Sequence, residues 1–380
     1  MKVSSYLYIN GNIEKSKNEN FVDTNKCQLL IGFGEKRLLL EQPIYEELKK
    51  KFPNASIALC STAGEIFSSE VLNDSLTLTA IEFEKTKVQS TSINICNYKS
   101  SFDAGVALIQ NLEQNDLKYV FVLSDGGTVN GSELVRGIET IINHKIPVTG
   151  GLAGDGTNFQ STLVGLNEKP KTGNILAVGL YGNYIKIGHG SMGGWEMFGL
   201  EKKITKSISN ELFEIDNVNA LDIYKEYLGK YANELPSSAL LFPLSIKLNE
   251  SENPIVRTIL SINNETKSMI FAGDVPEGSK VRFMKANFDK LIDAASDAAE
   301  NSLVNLKEST PKLAILISCV GRKIILDKRI DEEVEAVINV LGTEAVITGF
   351  YSYGEISPLQ PNTKCELHNQ TMTITTFDEI

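Results

Sequence analysis

The stretch "IPVTGGLAGDG", Ile146–Gly156, has a counterpart later in the chain, "EAVITGFYSYGEIS", Glu344–Ser357. Each is a β-branched run that meets glycine and is followed by a Gly-acid pair, Asp155 in the first and Glu355 in the second. Such a run, bounded by turn residues, reads as a strand leaving the sheet into a loop. The parts in front match as well. Before Asp155 stand the helical pattern "FDAGVALIQNLE", the apolar strand "LKYVFVLS" closed by Ser124, and the helix "SELVRGIETIINH". Before Glu355 stand "NFDKLIDAASDAAENSLVNL", "PKLAILIS" closed by Ser318, and "DEEVEAVINVLG". A strand follows each acid, "NILAVGLYG" and "TMTITTF".

Two more Gly-acid pairs, at Glu65 in "STAGEI" and Asp274 in "IFAGDVPEG", open the two series. The acid-to-acid separations are then 90 and 81 residues, and Ser124 and Ser318 precede their acids by 31 and 37. Self-similarity of this kind is the mark of a repeated supersecondary unit, and about 30 residues suit a βαβ-like unit. The expected fold is α/β, two pseudo-equivalent halves of β-sheet flanked by helices, arising from internal duplication. Residues 65–181 and 274–377 are expected to share one topology, with Glu65 matching Asp274 and Asp155 matching Glu355. Residues 195–235 are expected to link the halves as a hinge. Ligands of open sheets bind beyond the strand ends, so the loops after Ser61, Ser124, Ser318 and the Gly-acid pairs are the expected site.

Composition removes several functions. The chain of 380 residues carries a net charge of −11 and no cluster of Lys and Arg, which disfavours nucleic acid. No apolar run reaches the ~18 residues of a membrane span, and the first residues lack the core of a signal peptide, so a cytoplasmic protein without membrane insertion is expected. Five scattered cysteines without a CxxC pair, and three histidines without HExxH, argue against a disulfide framework and a zinc site.

Three stretches carry candidate chemistry. In "ISCVGRK", Ile317–Lys323, a strand stops on Ser318, Cys319 and Gly321, and Arg322 offers a planar cation to an anionic ligand. Pairing of Arg322 with Asp327, Asp331 or Glu332 is the structural alternative. Cys319 could act as a nucleophile, with His368 as the base available in this half; burial of a plain thiol is the alternative. In the segment Ile347–Thr371, Tyr351 and Tyr353 offer stacking faces, and Glu355, His368 and Asn369 offer polar groups, the ingredients of a small-molecule wall. In "GHGSMGGWEMFG", Gly188–Gly199, His189 sits among glycines beside Met, Trp and Phe. That reads either as a haem ligand, with the flanking glycines admitting the macrocycle, or as a structural histidine.

Eight stretches together, "CSTAGEI", "GGLAGDG", "GHGSMGGWEMFG", "NALDIYKEYLG", "FAGDVPEGSKVRFMKAN", "ISCVGRK", "GFYSYGEISPL" and "ELHNQTMTITT", resemble in order the signature stretches of the FIST family, from about Gln28 to Phe377. The resemblance implies an N-terminal segment at 1–28, a FIST N-terminal domain at 29–205 and a FIST C-terminal domain at 206–380. It also implies a sensory role in signal transduction, with a small ligand such as an amino acid. Some family members are haem-binding nitric-oxide sensors that act on histidine kinases. The leading expectation is a non-catalytic sensor of a small amino-acid-like or anionic ligand, without a metal, that signals through a separate partner such as a histidine kinase. The rivals are the haem sensor, with His189 or His368 as ligand, and a Cys319-dependent small-molecule hydrolase.

Overall fold

The computed structural model describes residues 1–9, 12–18, 21–249, 254–304, 306, 309–359 and 363–380. In chain order the first unit comprises β1 (Lys2–Ile9), β2 (Asn12–Lys17), β3 (Leu29–Gly34), α1 (Lys36–Glu41), α2 (Ile44–Lys51), β4 (Ser56–Ser61), the hairpin β5 (Glu65–Phe67) and β6 (Glu70–Leu72), and β7 (Leu76–Glu82). The second comprises β8 (Lys87–Asn94), α3 (Ser101–Gln110), β9 (Leu117–Ser124), α4 (Gly131–Ile142), β10 (Val148–Leu152), β11 (Val164–Leu166) and β12 (Asn174–Tyr181). The third begins with β13 (Ile185–Met192), is interrupted by an insert, and resumes with α6 (Phe288–Leu303), β22 (Leu313–Cys319), α7 (Val320–Leu326), α8 (Ile330–Leu341), β23 (Val346–Ser352), β24 (Gly354–Pro358), β25 (Cys365–His368) and β26 (Met372–Glu379). The insert holds β14 (Glu196–Ile208), β15 (Glu211–Ile215), β16 (Val218–Asn219), α5 (Ala220–Leu228), β17 (Leu244–Lys247), β18 (Ile255–Arg257), β19 (Ile259–Asn263), β20 (Ser268–Phe271) and β21 (Lys280–Lys285).

All three units have one plan. Two central strands run parallel, β3 with β4, β9 with β10 and β22 with β23, joined by helices as parallel pairs require. The closing strand of each unit (β7, β12, β26) lies antiparallel to the first of these, and the opening strand (β1, β8, β13) lies antiparallel to the closing one. The piece between the second parallel strand and the closing strand crosses to a neighbour: β5 pairs with β23, β11 with β4 and β24 with β10, all antiparallel. Each unit thus completes the sheet of another in a closed ring.

The turns at the ring's centre interlock in the same order. The amide of Ala63 donates to the carbonyl of Tyr351 at 2.8 Å, Gly154 to Ser61 at 2.9 Å and Tyr353 to Leu152 at 3.1 Å. Ser61, Leu152 and Tyr351 occupy matching positions, each paired across the parallel ladder with Gly34, Ser124 or Ser318.

The α/β class and the repeated unit therefore stand, and the two repeats seen in the sequence are the second and third units, with Asp155 and Glu355 in corresponding turns. The repetition extends to a third copy at the start of the chain, which moves one pairing. Glu65 begins β5 in the first unit's turn and matches Glu355, whereas Asp274 lies in the insert between β20 and β21. A Gly-acid turn after a short apolar strand has the same local signature in both settings. The expected linker at 195–235 is likewise part of a larger folded body: the described strands between residues 196 and 285 form one sheet, ordered β18-β17-β21-β14-β15-β20-β19, with a core of Ile204, Leu212, Tyr224, Leu244, Phe271 and Phe283.

Alternation along the central strands makes both sheet faces apolar. Leu29, Ile31 and Phe33, Tyr119, Phe121 and Leu123, and Leu313, Ile315 and Ile317 meet in one shared core between the three sheets. Their alternates face outward under helices: Leu30 beneath α1 and α2, Val120 and Val122 beneath α3 and α4, and Ala314 and Leu316 beneath α6 and α8. Strands buried on both faces read as continuous hydrophobic runs, as "LAILIS" does.

The glycines beside His189 serve this packing. A Cβ on Gly188 would lie 1.7 Å from the carbonyl oxygen of Ser302, and one on Gly190 2.1 Å from that of Ala298. They let α6 lie directly on β13, so the space expected there for a macrocycle is filled by a helix. Gly188→Ala is expected to lower stability by about 1–3 kcal/mol, the usual penalty for overpacking, measured by urea unfolding; an unchanged midpoint would refute this contact.

Candidate functional site

A cavity of about 400 Å³ opens where the strand-end loops of the second and third units face the insert. The core contributes the Gly126–Gly131 loop, Leu152, Phe159–Ser161, Cys319–Gly321, Tyr353 and Asn369; the insert contributes Asn210, Leu240, Thr258, Leu260 and Phe271–Gly273. Among these described residues none is charged.

One wall is aromatic. Phe159 stacks on Tyr353 with ring centroids 4.7 Å apart. The Tyr353 hydroxyl donates to Asp155 Oδ1 and accepts from the amides of Asp155 and Phe159, both at 3.1 Å. Asp155 Oδ2 in turn accepts from the amides of Gln160 at 3.3 Å and Ser161 at 3.1 Å, with Lys36 Nζ at 3.5 Å. Asp155 therefore shapes the wall from behind. Burial and the adjacent Asp155 carboxylate push the Tyr353 phenol well up, so it stays protonated.

Asn369 also lines the cavity and is fully buried, with no hydrogen-bond partner for its Oδ1 among the described residues. Its Nδ2 donates to the carbonyl of His368 at 3.1 Å. The glycine-rich loop, by contrast, offers an anion little. Asp125 Oδ1 already accepts from the amides of Gly127 at 2.8 Å and Thr128 at 2.6 Å and from Thr128 Oγ1 at 3.0 Å, and Oδ2 accepts from the amide of Gly173 at 2.9 Å. The chain's own carboxylate fills the nest that backbone amides would present to an anion.

Of the residues anticipated from sequence, Cys319, Gly321, Tyr353 and Asn369 line this cavity, and Asp155 supports it. The others lie elsewhere. Arg322 is fully buried, and its Nε and Nη2 donate to Glu333 Oε2 at 3.0 and 2.8 Å, with Nη1 on the carbonyl of Gly193 and Nη2 also on that of Leu291, each at 2.7 Å. Tyr351 and Ser318 donate to Glu333 Oε1 at 2.6 and 3.1 Å. The expected clamp for an anionic ligand is a buried ion pair instead, with a partner on α8 other than the three acids considered.

Glu65 and Glu355 are matching structural acids. Glu65 Oε1 accepts from Thr62 Oγ1, and Oε2 from the hydroxyl and amide of Ser75 at 2.7 and 3.3 Å. Glu355 Oε1 accepts from Ser352 Oγ at 2.6 Å, and Oε2 from the hydroxyl and amide of Thr371 at 2.9 and 3.1 Å. Each ties a crossing strand to the start of its own unit's closing strand. Ser61 Oγ accepts from the amide of Leu163 at 2.8 Å, and Ser124 Oγ donates to the carbonyl of Asp125 at 3.1 Å.

The residues present do not fit a histidine-ligated haem. His189 is held in β13 under α6, where burial pushes its pKa down to about 4. His368 is buried in β25, with Nε2 2.9 Å from the carbonyl oxygen of Ser357. Neither lines the cavity. Burial also pushes the Cys319 thiol far up, which disfavours the thiolate that a nucleophile needs. Among the described residues there is no group of three or more His, Cys, Asp or Glu placed to hold a metal ion, and no helix long and apolar enough to cross a membrane.

Sequence reading missed the insert's half of the site, Asn210, Thr258, Leu260 and Phe271–Gly273, because residues distant in sequence meet there. Phe159 had a local signal, as an aromatic four residues after the Gly-acid turn.

Two family models match consecutive parts of the chain: the FIST N domain over residues 28–218 and the FIST C domain over residues 220–358. No curated protein matches the sequence. Among solved structures, a cyanuric acid hydrolase from A. caulinodans is similar at 7% identity and a TM-score of 0.39, covering 100% of this chain and 99% of its own. A second cyanuric acid hydrolase structure, described in terms of structural concatenation, is similar at 8% identity and a TM-score of 0.37, with the same coverage.

Proposed function

The chain belongs to the FIST family, whose domains are sensory ligand-binding domains of signal transduction, and on that premise we propose that it is a cytoplasmic, non-catalytic sensor of a small uncharged organic ligand. The ligand sits in the cavity between the core and the insert, and the output passes to a separate signalling protein such as a histidine kinase.

The observation that carries this reading is the cavity's lining: no charged side chain among the described residues, and one aromatic wall. Pockets of this volume with few aimed polar groups suit small molecules. A charged ligand would lose its hydration there without gaining a counter-ion. This turns the expected anionic ligand toward an amide, heterocycle or comparable neutral molecule. The protonated state of Cys319 and the placement of both histidines favour an organic ligand over a hydrolase and over a haem sensor. Because the walls belong to two bodies, a ligand bridging them would bind one arrangement of insert and core better than another, the condition for a signal.

Native mass spectrometry of protein from its own cells tests this. The wild type should carry a small neutral adduct, and Leu260→Trp, at an exposed position that fills the cavity from the insert side, should lose it with little change in stability. No adduct, an adduct kept by Leu260→Trp, or a haem absorption band in that preparation would each overturn the reading.

A further inference from the structure

We propose that a second cavity, of about 340 Å³ between α4 and the insert, is a binding site for a small monocarboxylate with an apolar body, received by Arg257. Arg257 ends β18 and is 3% exposed. Its Nε donates to the carbonyl of Asp274 at 2.9 Å, and Nη1 donates to the carbonyls of Leu367 at 3.0 Å and Val256 at 3.2 Å. These contacts hold the guanidinium in place, yet none of them is a carboxylate. Nη2 has no hydrogen-bond partner among the described residues, and Arg257 lines the cavity.

The nearby acids are held by other groups. Asp274 Oδ2 lies 3.3 Å from Arg136, Glu366 lies 3.0 Å from Lys364, and Glu139 Oε1 accepts from the amide of Cys365 at 2.7 Å. Asp274 Oδ1 also accepts from Asn130 at 3.2 Å. Burial lowers the Arg257 pKa to about 10, offset in part by the nearby Asp274 and Glu366 carboxylates, so it is cationic at neutral pH. A buried charge whose hydrogen bonds all go to carbonyls favours a hydrogen-bonded counter-ion.

Ser132 supplies a second donor. Its Oγ accepts from the amide of Asp274 at 3.4 Å, and its own proton has no acceptor among the described residues. It lies near the guanidinium, since a Cβ on Gly273 would meet both Arg257 Nε at 2.9 Å and Ser132 Oγ at 3.1 Å. The surrounding acids oppose the higher charge of a phosphate, while Val135, Ile255, Pro276 and Leu367 form an apolar wall for the ligand's body.

Calorimetric titration with hexanoate, and with hexanamide as its uncharged counterpart, tests the site. Hexanoate should bind saturably and at least about tenfold more tightly than hexanamide, the scale of one charge-assisted contact. Arg257→Gln should lose that preference. If Arg257→Gln does not fold, Thr140→Trp, at the exposed rim of the same cavity, should abolish binding with the guanidinium intact. No binding by the wild type, equal affinity for hexanamide, tighter binding of inorganic phosphate, or binding kept by Thr140→Trp would each overturn the proposal.

Discussion

Glu333→Ala is expected to lower the unfolding free energy by about 3–5 kcal/mol, the range for removing one partner of a buried ion pair. Both Arg322 and Glu333 have side chains with no exposure, and they meet at 2.8 Å. Without Glu333, the Arg322 charge keeps only the carbonyls of Gly193 and Leu291, and the hydroxyls of Tyr351 and Ser318 lose their acceptor. The pair also joins elements: Arg322 on α7 reaches Glu333 on α8, Leu291 on α6 and Gly193 at the border of the insert. Urea unfolding with circular dichroism would measure the loss. Replacing both members, Arg322→Met with Glu333→Leu, should recover much of it, because an apolar pair leaves no uncompensated charge. A single-mutant loss under about 1 kcal/mol would show that the pair is solvated and the account of it mistaken.

Arg322 also shows where the sequence stops being legible. A cation after a strand end reads equally as an anion clamp or a structural group, and the choice depended on Glu333, eleven residues on and across a helix turn. The doubly apolar strands "LKYVFVLS" and "LAILIS" and their Ser-to-acid spacing were readable because period and spacing are local. The first unit escaped because its crossover helices are short, six and eight residues in α1 and α2, and because a β-hairpin partner, β2, follows β1 in place of a helix. Residues 195–235 read as a linker since their partners in the insert's sheet lie further along the chain, up to β21, and their core forms only on folding. Cys319, Gly321, Tyr353 and Asn369 were found because strand ends converge at one edge of an α/β sheet. The insert's residues were not, because no local pattern says which surface an insert will cover.

Between pH 6.5 and 8 the protein is expected to lose stability, and Glu355→Gln is expected to remove about half of that loss. Burial raises the pKa of both Glu65 and Glu355 from 4.5 to about 7, in each case against the hydroxyl and amide donors around it and a nearby cation, Lys323 for Glu65 and Arg322 for Glu355. A carboxyl whose folded pKa lies above its unfolded value stabilises the fold fully below pH 4.5, and that contribution is lost as the pH rises through 7. Raising a carboxyl from 4.5 to about 7 corresponds to about 3 kcal/mol for each acid. His189 works the other way: its pKa falls from 6.5 to about 4, so its contribution is complete above pH 6.5 and lost as the pH falls through 4. Glu379, held down to about 2 mainly by the amides of Glu84 and Lys85 and by Thr86, acts only in more acid solution. Above pH 6.5 the two buried glutamates therefore act without opposition from these groups. An amide at 355 can reproduce the protonated acid, its oxygen accepting from Thr371 and its NH₂ donating to Ser352 Oγ. Glu355→Gln should match the wild type near pH 4 and exceed it by up to about 3 kcal/mol at pH 8. Parallel stability curves for the two proteins from pH 5 to 8 would mean that Glu355 is ionised in the fold throughout, and that its matching role with Glu65 is that of a charged clamp.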